Sequence, residues 1–181
     1  KLKDSLTAAA GPMAEAVQGA VADVVKTAKK AMKPVSPLAP AAFPQLPVIA
    51  GAEFAATAAG VKYRDRKDVM LVRLAPGTSV AGAFTRSSTR SGCVRDCQAK
   101  LTAKVPAGAG AAIVVNSGNS HAFTGKVGAA AVAAVTGAVA EALGLPTSRV
   151  FSSSTGVIGE PLPHEKITAV VPALAADLTE T

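Results

Sequence analysis

Residues 152–159 form a hydroxyl- and glycine-rich segment whose residue types could stabilise a developing negative charge. The segment reads Ser-Ser-Ser-Thr-Gly-Val-Ile-Gly and overlaps a short apolar run, Val150–Ser153, that predicts a strand. A glycine leaves its backbone N–H accessible, and the hydroxyl of Thr155 beside Gly156 could supply a second hydrogen-bond donor. The pattern suggests an oxyanion hole, and a serine-rich turn that satisfies its own backbone groups is the alternative.

A second polar segment, residues 116–126, connects a predicted strand to a predicted helix. It resembles a phosphate-binding loop, but the motif G-x-x-x-x-G-K requires a glycine where Ser120 stands. The helix N-terminus could still bind an anion, and an ordinary loop capped by Thr124 is the other interpretation. No carboxylate lies near His121 in sequence, which favours a solvent-facing or hydrogen-bonded loop histidine.

The sequence gives little support for a metal site or for a Ser-His-Asp catalytic triad. Cys93 and Cys97 form a C-x₃-C pair, and His121 and His164 are both remote from it. Because a zinc site needs about four ligands, we expect two reduced thiols and neither a bound metal nor a cofactor. The polar clusters also contain no Ser-His-Asp set with matching neighbours.

The composition describes one ordinary domain of 181 residues, 49% hydrophobic and only 3% aromatic. This apolar content excludes a generically disordered chain, and no apolar run of about 18 residues free of Gly and Pro predicts a membrane span. The net charge of +7 raises the question of a nucleic-acid partner. The charge is spread along the chain and is hardly interleaved with aromatic residues, so a solvated basic surface is the better interpretation.

The chain is predicted to have three parts. Residues 1–33 include an amphipathic N-terminal helix, residues 34–47 form a semi-rigid connector with five prolines, and residues 48–181 form the main domain. In the main domain the patterns predict strands at Glu53–Ala59, Val69–Leu74, Ser79–Arg86 after a Pro76-Gly77 turn, Ala111–Asn116 and Val150–Ser153. Helices are predicted at residues 126–143, ending at Gly144, and at Pro163–Leu178, where Pro172 should kink or interrupt the helix. The segment Cys93–Leu101 is ambiguous and could be a short helix. A polar loop is predicted at residues 117–120 and a glycine-bearing turn at residues 154–159. The order of the elements predicts a mixed α/β domain.

Five segments, in this order, resemble the N-terminal part of the ArgJ family, the ornithine acetyltransferases or glutamate N-acetyltransferases of the cyclic arginine pathway. They are residues 35–40, 55–62, 82–86, 116–125 and 154–162. The resemblance implies a layered α/β/β/α sandwich, of which this chain would form the N-terminal part. It also implies a cytoplasmic enzyme that transfers an acetyl group from N-acetylornithine to glutamate. Many members also use acetyl-CoA, which makes it a candidate co-substrate here.

The resemblance places the oxyanion hole on the hydroxyl of Thr155 and the N–H of Gly156, with a supporting role for Asn116–Gly125. In the family, the precursor cuts itself before the threonine of an Ala-Thr-Met-Leu motif and gives α and β chains. That threonine becomes the nucleophile, with its own α-amino group as general base. The motif is absent from this sequence. We therefore expect an incomplete α chain, inactive alone, that pairs with a β chain in an α₂β₂ heterotetramer.

Three other interpretations remain at this stage. One is a non-catalytic interaction module, in which a truncated domain and a basic helix serve assembly, and another is a basic nucleic-acid binder. The third is a related self-processing aminopeptidase, although the string at residues 154–162 favours the transferase. For the transferase we expect small-molecule substrates, and neither a nucleic-acid nor a membrane partner.

Overall fold

The computed structural model describes residues 37–42 and 44–180, and the predicted N-terminal helix of residues 1–33 lies outside the described residues. The chain divides into two compact units, Lys1–Leu46 and Pro47–Thr181. In the connector, the described residues 37–42 and 44–47 contain neither helix nor strand, as the prolines require. All the elements described below belong to the second unit.

A four-stranded sheet with the order β1-β2-β3-β4 forms the centre of the domain. Its strands are β1 (Ala52–Thr57), β2 (Val69–Leu74), β3 (Ala111–Asn119) and β4 (Val150–Val157). The pairs β1–β2 and β2–β3 are antiparallel, whereas β3 and β4 are parallel. A parallel pair needs a crossover connection, which here contains a long helix. The predicted bounds of β2 are confirmed, and β3 and β4 both run further than predicted.

Three helices accompany the sheet: α1 (Gly92–Thr102), α2 (Gly125–Leu143) and α3 (His164–Ala176). A 3₁₀ turn, Thr147–Arg149, leads into β4. The predicted end of α2 is confirmed, because Gly144 adopts a left-handed conformation with φ of 62°. Pro172 does not interrupt α3. Val171 and Leu174 on either side of it are buried, and their burial compensates for the hydrogen bond that proline cannot make.

The predicted strand Ser79–Arg86 is wrong. Both edges of β2 are already used by β1 and β3, so no edge is left for a hairpin across Pro76-Gly77. The segment instead carries Val80 and Phe84 to a small cluster around Cys97, Ala111 and Phe151. The ambiguous segment at Cys93–Leu101 is helical and forms most of α1.

The polar loop predicted at residues 117–120 and the turn predicted at residues 154–159 are also largely wrong. Residues 117–119 belong to β3 and residues 154–157 belong to β4. Their local turn chemistry is overridden because the two segments pair with each other in the parallel ladder.

The main core lies between one face of the sheet and helices α2 and α3. A buried stripe on α2, Ala131, Val135 and Val139, packs in one cluster with Leu71 of the sheet and Ile167 of α3. By length and composition, α2 is also apolar enough to cross a membrane. Its buried stripe is the pattern of a helix that packs in a protein core.

Candidate functional site

The two polar motifs meet along the parallel pair of β3 and β4. The register places Ser117 opposite Thr155 and Gly118 opposite Gly156. Thr155 and Gly156, the predicted oxyanion-hole residues, are both exposed at the end of β4. The segment with the predicted supporting role therefore lies directly beside them.

Gly156 has a conformation and a position that exclude any side chain. Its φ is +134°, and a Cβ atom built on it would lie 2.3 Å from both the carbonyl carbon and the carbonyl oxygen of Gly118. L-residues rarely adopt such a φ, and a contact of this length with backbone atoms is forbidden by sterics. Glycine is therefore required at position 156.

The direction of the Gly156 N–H follows from the hydrogen bonds of β4. The carbonyl oxygens of Val150 and Ser152 accept hydrogen bonds from Lys100 Nζ (2.8 Å) and Cys97 Sγ (3.3 Å) of α1. The Val157 oxygen, in contrast, accepts a bond from the N–H of Ser120, just beyond β3. Backbone groups alternate between the two sides of a strand. The N–H of Gly156 therefore points to the edge of β4 that faces away from β3.

A buried hydrogen-bond network lies beside the exposed pair. The Ser154 hydroxyl donates to Asn116 Oδ1 at 2.6 Å and lies 3.0 Å from Nδ1 of His121. The Nδ2 of Asn116 donates to the carbonyl oxygen of Asn119 at 3.2 Å, which identifies Oδ1 as the acceptor for Ser154. The network thus joins the end of β4 to the end of β3 next to Thr155.

The same bonds assign the tautomer of His121. A serine hydroxyl has one proton, and Ser154 donates it to Asn116, so Nδ1 of His121 must donate to the Ser154 oxygen. Burial lowers the pKa of His121, which favours the neutral ring. In that neutral ring Nε2 is an acceptor, and it is buried without a hydrogen-bond partner among the described residues.

The loop that carries His121 differs from the sequence expectation in two respects. His121 is hydrogen-bonded, as one of the two alternatives predicted, but it is only 3% exposed, so the solvent-facing alternative is wrong. Thr124 precedes α2 but makes no side-chain cap. Its hydroxyl donates to the His121 carbonyl oxygen at 2.8 Å instead, which holds the loop rather than the helix start.

Contacts of charged and amide side chains bring a third segment, residues 55–62, to the site. Asn119 Nδ2 donates to the carbonyl oxygen of Pro161 at 3.2 Å, and Lys62 forms an ion pair with Glu160. Segments 55–62, 116–125 and 154–162 are thereby brought together. Segment 82–86 instead packs near α1 through Phe84.

The two cysteines form no disulfide, as predicted, and both are buried. Burial raises the pKa of the Cys97 thiol, whose Sγ donates to the carbonyl oxygen of Ser152. Within residues 37–42 and 44–180, no group of three or more His, Cys, Asp or Glu side chains could hold a metal ion.

Comparison with known proteins decides the family. The model of the ArgJ family matches residues 53–181. The chain belongs to the ArgJ family. The arginine biosynthesis bifunctional protein ArgJ of Ruegeria pomeroyi is 61% identical over 138 residues, which cover 76% of this chain and 33% of the relative. The ArgJ protein of Nitrobacter winogradskyi is 49% identical over 134 residues, 74% of this chain and 32% of that protein.

The chain thus spans about a third of the length of these curated ArgJ relatives. Two solved ArgJ-family structures share its fold. The ArgJ protein of Bacillus halodurans matches with a TM-score of 0.65 and 30% identity, over 73% of this chain and 66% of that one. Ornithine acetyltransferase of Mycobacterium tuberculosis, solved with ornithine, matches with a TM-score of 0.67 and 33% identity, over 73% of this chain and 69% of that one. The predicted fold class, that of the ornithine acetyltransferases, is confirmed.

Sequence reasoning missed the partners of the predicted site residues. It did not single out Gly118, which lies opposite Gly156. It also did not single out Ser154, which joins Asn116 to His121. A signal was present, because each motif has a hydroxyl residue followed by glycine, Ser117-Gly118 and Thr155-Gly156. Only the register of the parallel pair shows that these dipeptides face each other.

Proposed function

We propose that this chain supplies the oxyanion-binding part of an acetyltransferase of arginine biosynthesis that transfers an acetyl group from N-acetylornithine to glutamate. The observation that carries the proposal is the exposed position of Gly156 at the end of β4, which only glycine can occupy. Strand alternation turns its N–H away from β3. The exposed Thr155 beside it offers a hydroxyl as second donor. Two such donors are what a developing oxyanion needs.

The proposed chemistry proceeds through an acetyl-threonine intermediate. The threonine of the family's Ala-Thr-Met-Leu motif, outside this sequence, attacks the acetyl carbonyl carbon, with its own α-amino group as general base. The carbonyl oxygen becomes an anion that accepts hydrogen bonds from the Thr155 hydroxyl and the Gly156 N–H. The α-amino group gives the proton it received to the departing nitrogen, and ornithine leaves as the free amine. The amino group of glutamate then attacks the acetyl-threonine, and its proton passes through the α-amino group to the departing threonine oxygen as N-acetylglutamate forms. The same donors stabilise the second tetrahedral intermediate.

The buried network gives these donors a fixed position. Asn116, Ser154 and His121 hold the end of β4 against β3 immediately before Thr155. Preorganised donors stabilise an oxyanion more strongly than mobile ones, because no reorganisation is needed during the reaction. We assign segment 116–125 this positioning role.

The remaining parts of the proposal come from the family. The nucleophile and the rest of the substrate pocket belong to a β chain produced by autocatalytic cleavage of one precursor, and the assembly is an α₂β₂ heterotetramer in the cytoplasm. Acetyl-CoA is an additional acetyl donor for glutamate. No metal or cofactor takes part.

The decisive experiment co-expresses this chain with a family segment that carries the Ala-Thr-Met-Leu motif and measures acetyl transfer from N-acetylornithine to glutamate. We expect Thr155→Ala to lower kcat about 10²–10³-fold, the usual effect of losing one oxyanion donor. Thr155→Ser keeps the hydroxyl and should retain most activity. Ser153→Ala is the matched control, because it removes an exposed hydroxyl two residues earlier on the same strand.

Normal turnover by Thr155→Ala would overturn the oxyanion assignment. A stable complex of the two segments that forms no acetyl-threonine and transfers no acetyl group would instead favour the non-catalytic interaction module.

A further inference from the structure

The segment that follows the candidate oxyanion pair begins and ends at a glycine. Gly156 and Gly159 both have positive φ angles, of 134° and 76°. Val157, where β4 ends, and Ile158 lie between them and are exposed. A glycine restricts its own backbone less than any other residue does. Contacts from other parts of the chain are therefore needed to hold this segment in one conformation.

Hydrogen bonds tie the segment to the loop after β3. The carbonyl oxygen of Val157 accepts bonds from the N–H and the Oγ of Ser120, each at 3.0 Å. The N–H of Gly159 donates to the carbonyl oxygen of Ala122 at 2.9 Å. The next residue in the chain, Glu160, is held by side chains.

Glu160 joins the segment to two other parts of the chain. Its carboxylate forms an ion pair with Lys62, and Oε2 also accepts a bond from Nδ2 of Asn119 at 3.3 Å. Asn119 is only 2% exposed, and the same Nδ2 lies 3.2 Å from the carbonyl oxygen of Pro161. Hydrogen bonds to an ionised carboxylate are stronger than those between neutral groups. The carboxylate is thus fixed by a cation and by a buried amide.

Lys62 starts from a rigidly held loop that packs against Gly118, the residue opposite Gly156. A Cβ on Gly118 would lie 3.0 Å from the Cβ of Lys62. The preceding residue, Val61, belongs to the main core, and its N–H donates to Oδ2 of Asp68 at 2.7 Å. The ion pair therefore connects Glu160 to a fixed point beside the contact between the two glycines.

We infer that the Lys62–Glu160 ion pair is a positioning pair for the N–H of Gly156. The direction of a peptide N–H depends on the backbone on both sides of it. The network of Ser154 fixes the chain before Gly156, and the ion pair fixes the chain after it. The inference rests on the proposed oxyanion role of Gly156. It adds two residues that act through the backbone and not on the reacting atoms.

The exposure of the pair separates a positioning role from a merely structural one. The side chains of Lys62 and Glu160 are 27% and 45% exposed, and ion pairs of this kind contribute little to the free energy of unfolding. A donor that is turned away from the oxyanion, in contrast, lowers the reaction rate directly. Loss of the pair should therefore lower kcat and leave the stability of the chain nearly unchanged.

Steady-state kinetics of the co-expressed complex test the inference. We expect Lys62→Met and Glu160→Gln each to lower kcat about tenfold, with the KM for N-acetylornithine nearly unchanged. The double variant should be no slower than either single variant, because both remove one interaction. Lys62→Arg keeps the charge and should retain most activity. Glu53→Gln is the matched control, because it removes a similarly exposed ion pair, with Arg73, elsewhere on the sheet.

Hydrogen exchange of the 181-residue chain gives a second measurement that needs no activity. Exchange of the Gly159 N–H should become about fivefold faster in Lys62→Met and stay unchanged in Glu53→Gln, with the urea midpoint of both variants as in the parent chain. Unchanged exchange of Gly159 in Lys62→Met would overturn the inference. A urea midpoint that falls together with kcat would also overturn it, because the pair would then be structural.

The same assays distinguish this inference from the proposed function. Parental turnover in Thr155→Ala refutes the oxyanion assignment itself. If Thr155→Ala is slow and Lys62→Met is as fast as the parent complex, the oxyanion assignment stands and the positioning role of the ion pair is refuted.

Discussion

Gly118 and Gly156 lie opposite each other on neighbouring parallel strands, so close that a Cβ on Gly156 would be 2.3 Å from the Gly118 carbonyl carbon. This relationship brings two polar motifs, 38 residues apart from Asn116 to Ser154, into direct hydrogen-bond contact. Glycine at position 156 is therefore needed for the packing of the two strands, in addition to its role in the proposed oxyanion hole. Stability and activity must therefore be measured separately at this position.

Gly156→Ala should lower the free energy of unfolding by about 3 kcal/mol, because the methyl group meets backbone and the φ is unfavourable for alanine. Urea unfolding measures the change. Gly137→Ala is the matched control, since a Cβ there meets nothing within 4 Å in the middle of α2. It should stabilise the protein by about 1 kcal/mol. An unchanged stability of Gly156→Ala would show that β3 and β4 can separate at this point.

Asp68 should be needed for the loop between β1 and β2. Its side chain is buried, and its two carboxylate oxygens accept the N–H groups of Ala59 and Val61, each at 2.7 Å. Asp68→Asn replaces one acceptor by an amide donor, so a buried N–H loses its partner and stability should fall by about 2 kcal/mol. Asp65→Asn is the control, because Asp65 is exposed with φ of 60°, a conformation that asparagine tolerates. Thermal unfolding of both variants distinguishes them, and equal melting temperatures would contradict this role.

His121 should make stability depend on pH in the acidic range. Burial lowers its pKa in the folded chain below the value of about 6.5 expected when unfolded. The unfolded state therefore binds the proton more readily, and stability falls as the pH falls from about 6.5 toward the folded pKa. Above about pH 6.5 this contribution is fully present.

His121→Gln should remove that part of the pH dependence, measured as the free energy of unfolding at about pH 7.5 and about pH 5. Identical pH profiles for the parent chain and His121→Gln would show that His121 is not the group responsible.

Much of the local structure could be predicted from sequence alone. The apolar run of β2, the Ala/Val-rich composition of α2 and the glycine at its end are signals that a few neighbouring residues generate, and each predicted element is present. The candidate pair Thr155 and Gly156 was likewise visible as a hydroxyl next to a glycine after an apolar run. The family resemblance rested on five such local segments in order.

Tertiary structure alone decided what these residues face. Residues 117–119 and 154–157 have turn composition, but each segment finds hydrogen-bond partners in the other, and the ladder overrides the local preference. The strand expected at Ser79–Arg86 is absent because both edges of β2 are occupied by other strands. The ring of His121 has no carboxylate near it in sequence and becomes buried against Ser154, 33 residues away. Sequence by itself determined which residues could supply donors, because that depends on their own chemistry. Strand register and burial determined where the donors point, because both depend on contacts between distant parts of the chain.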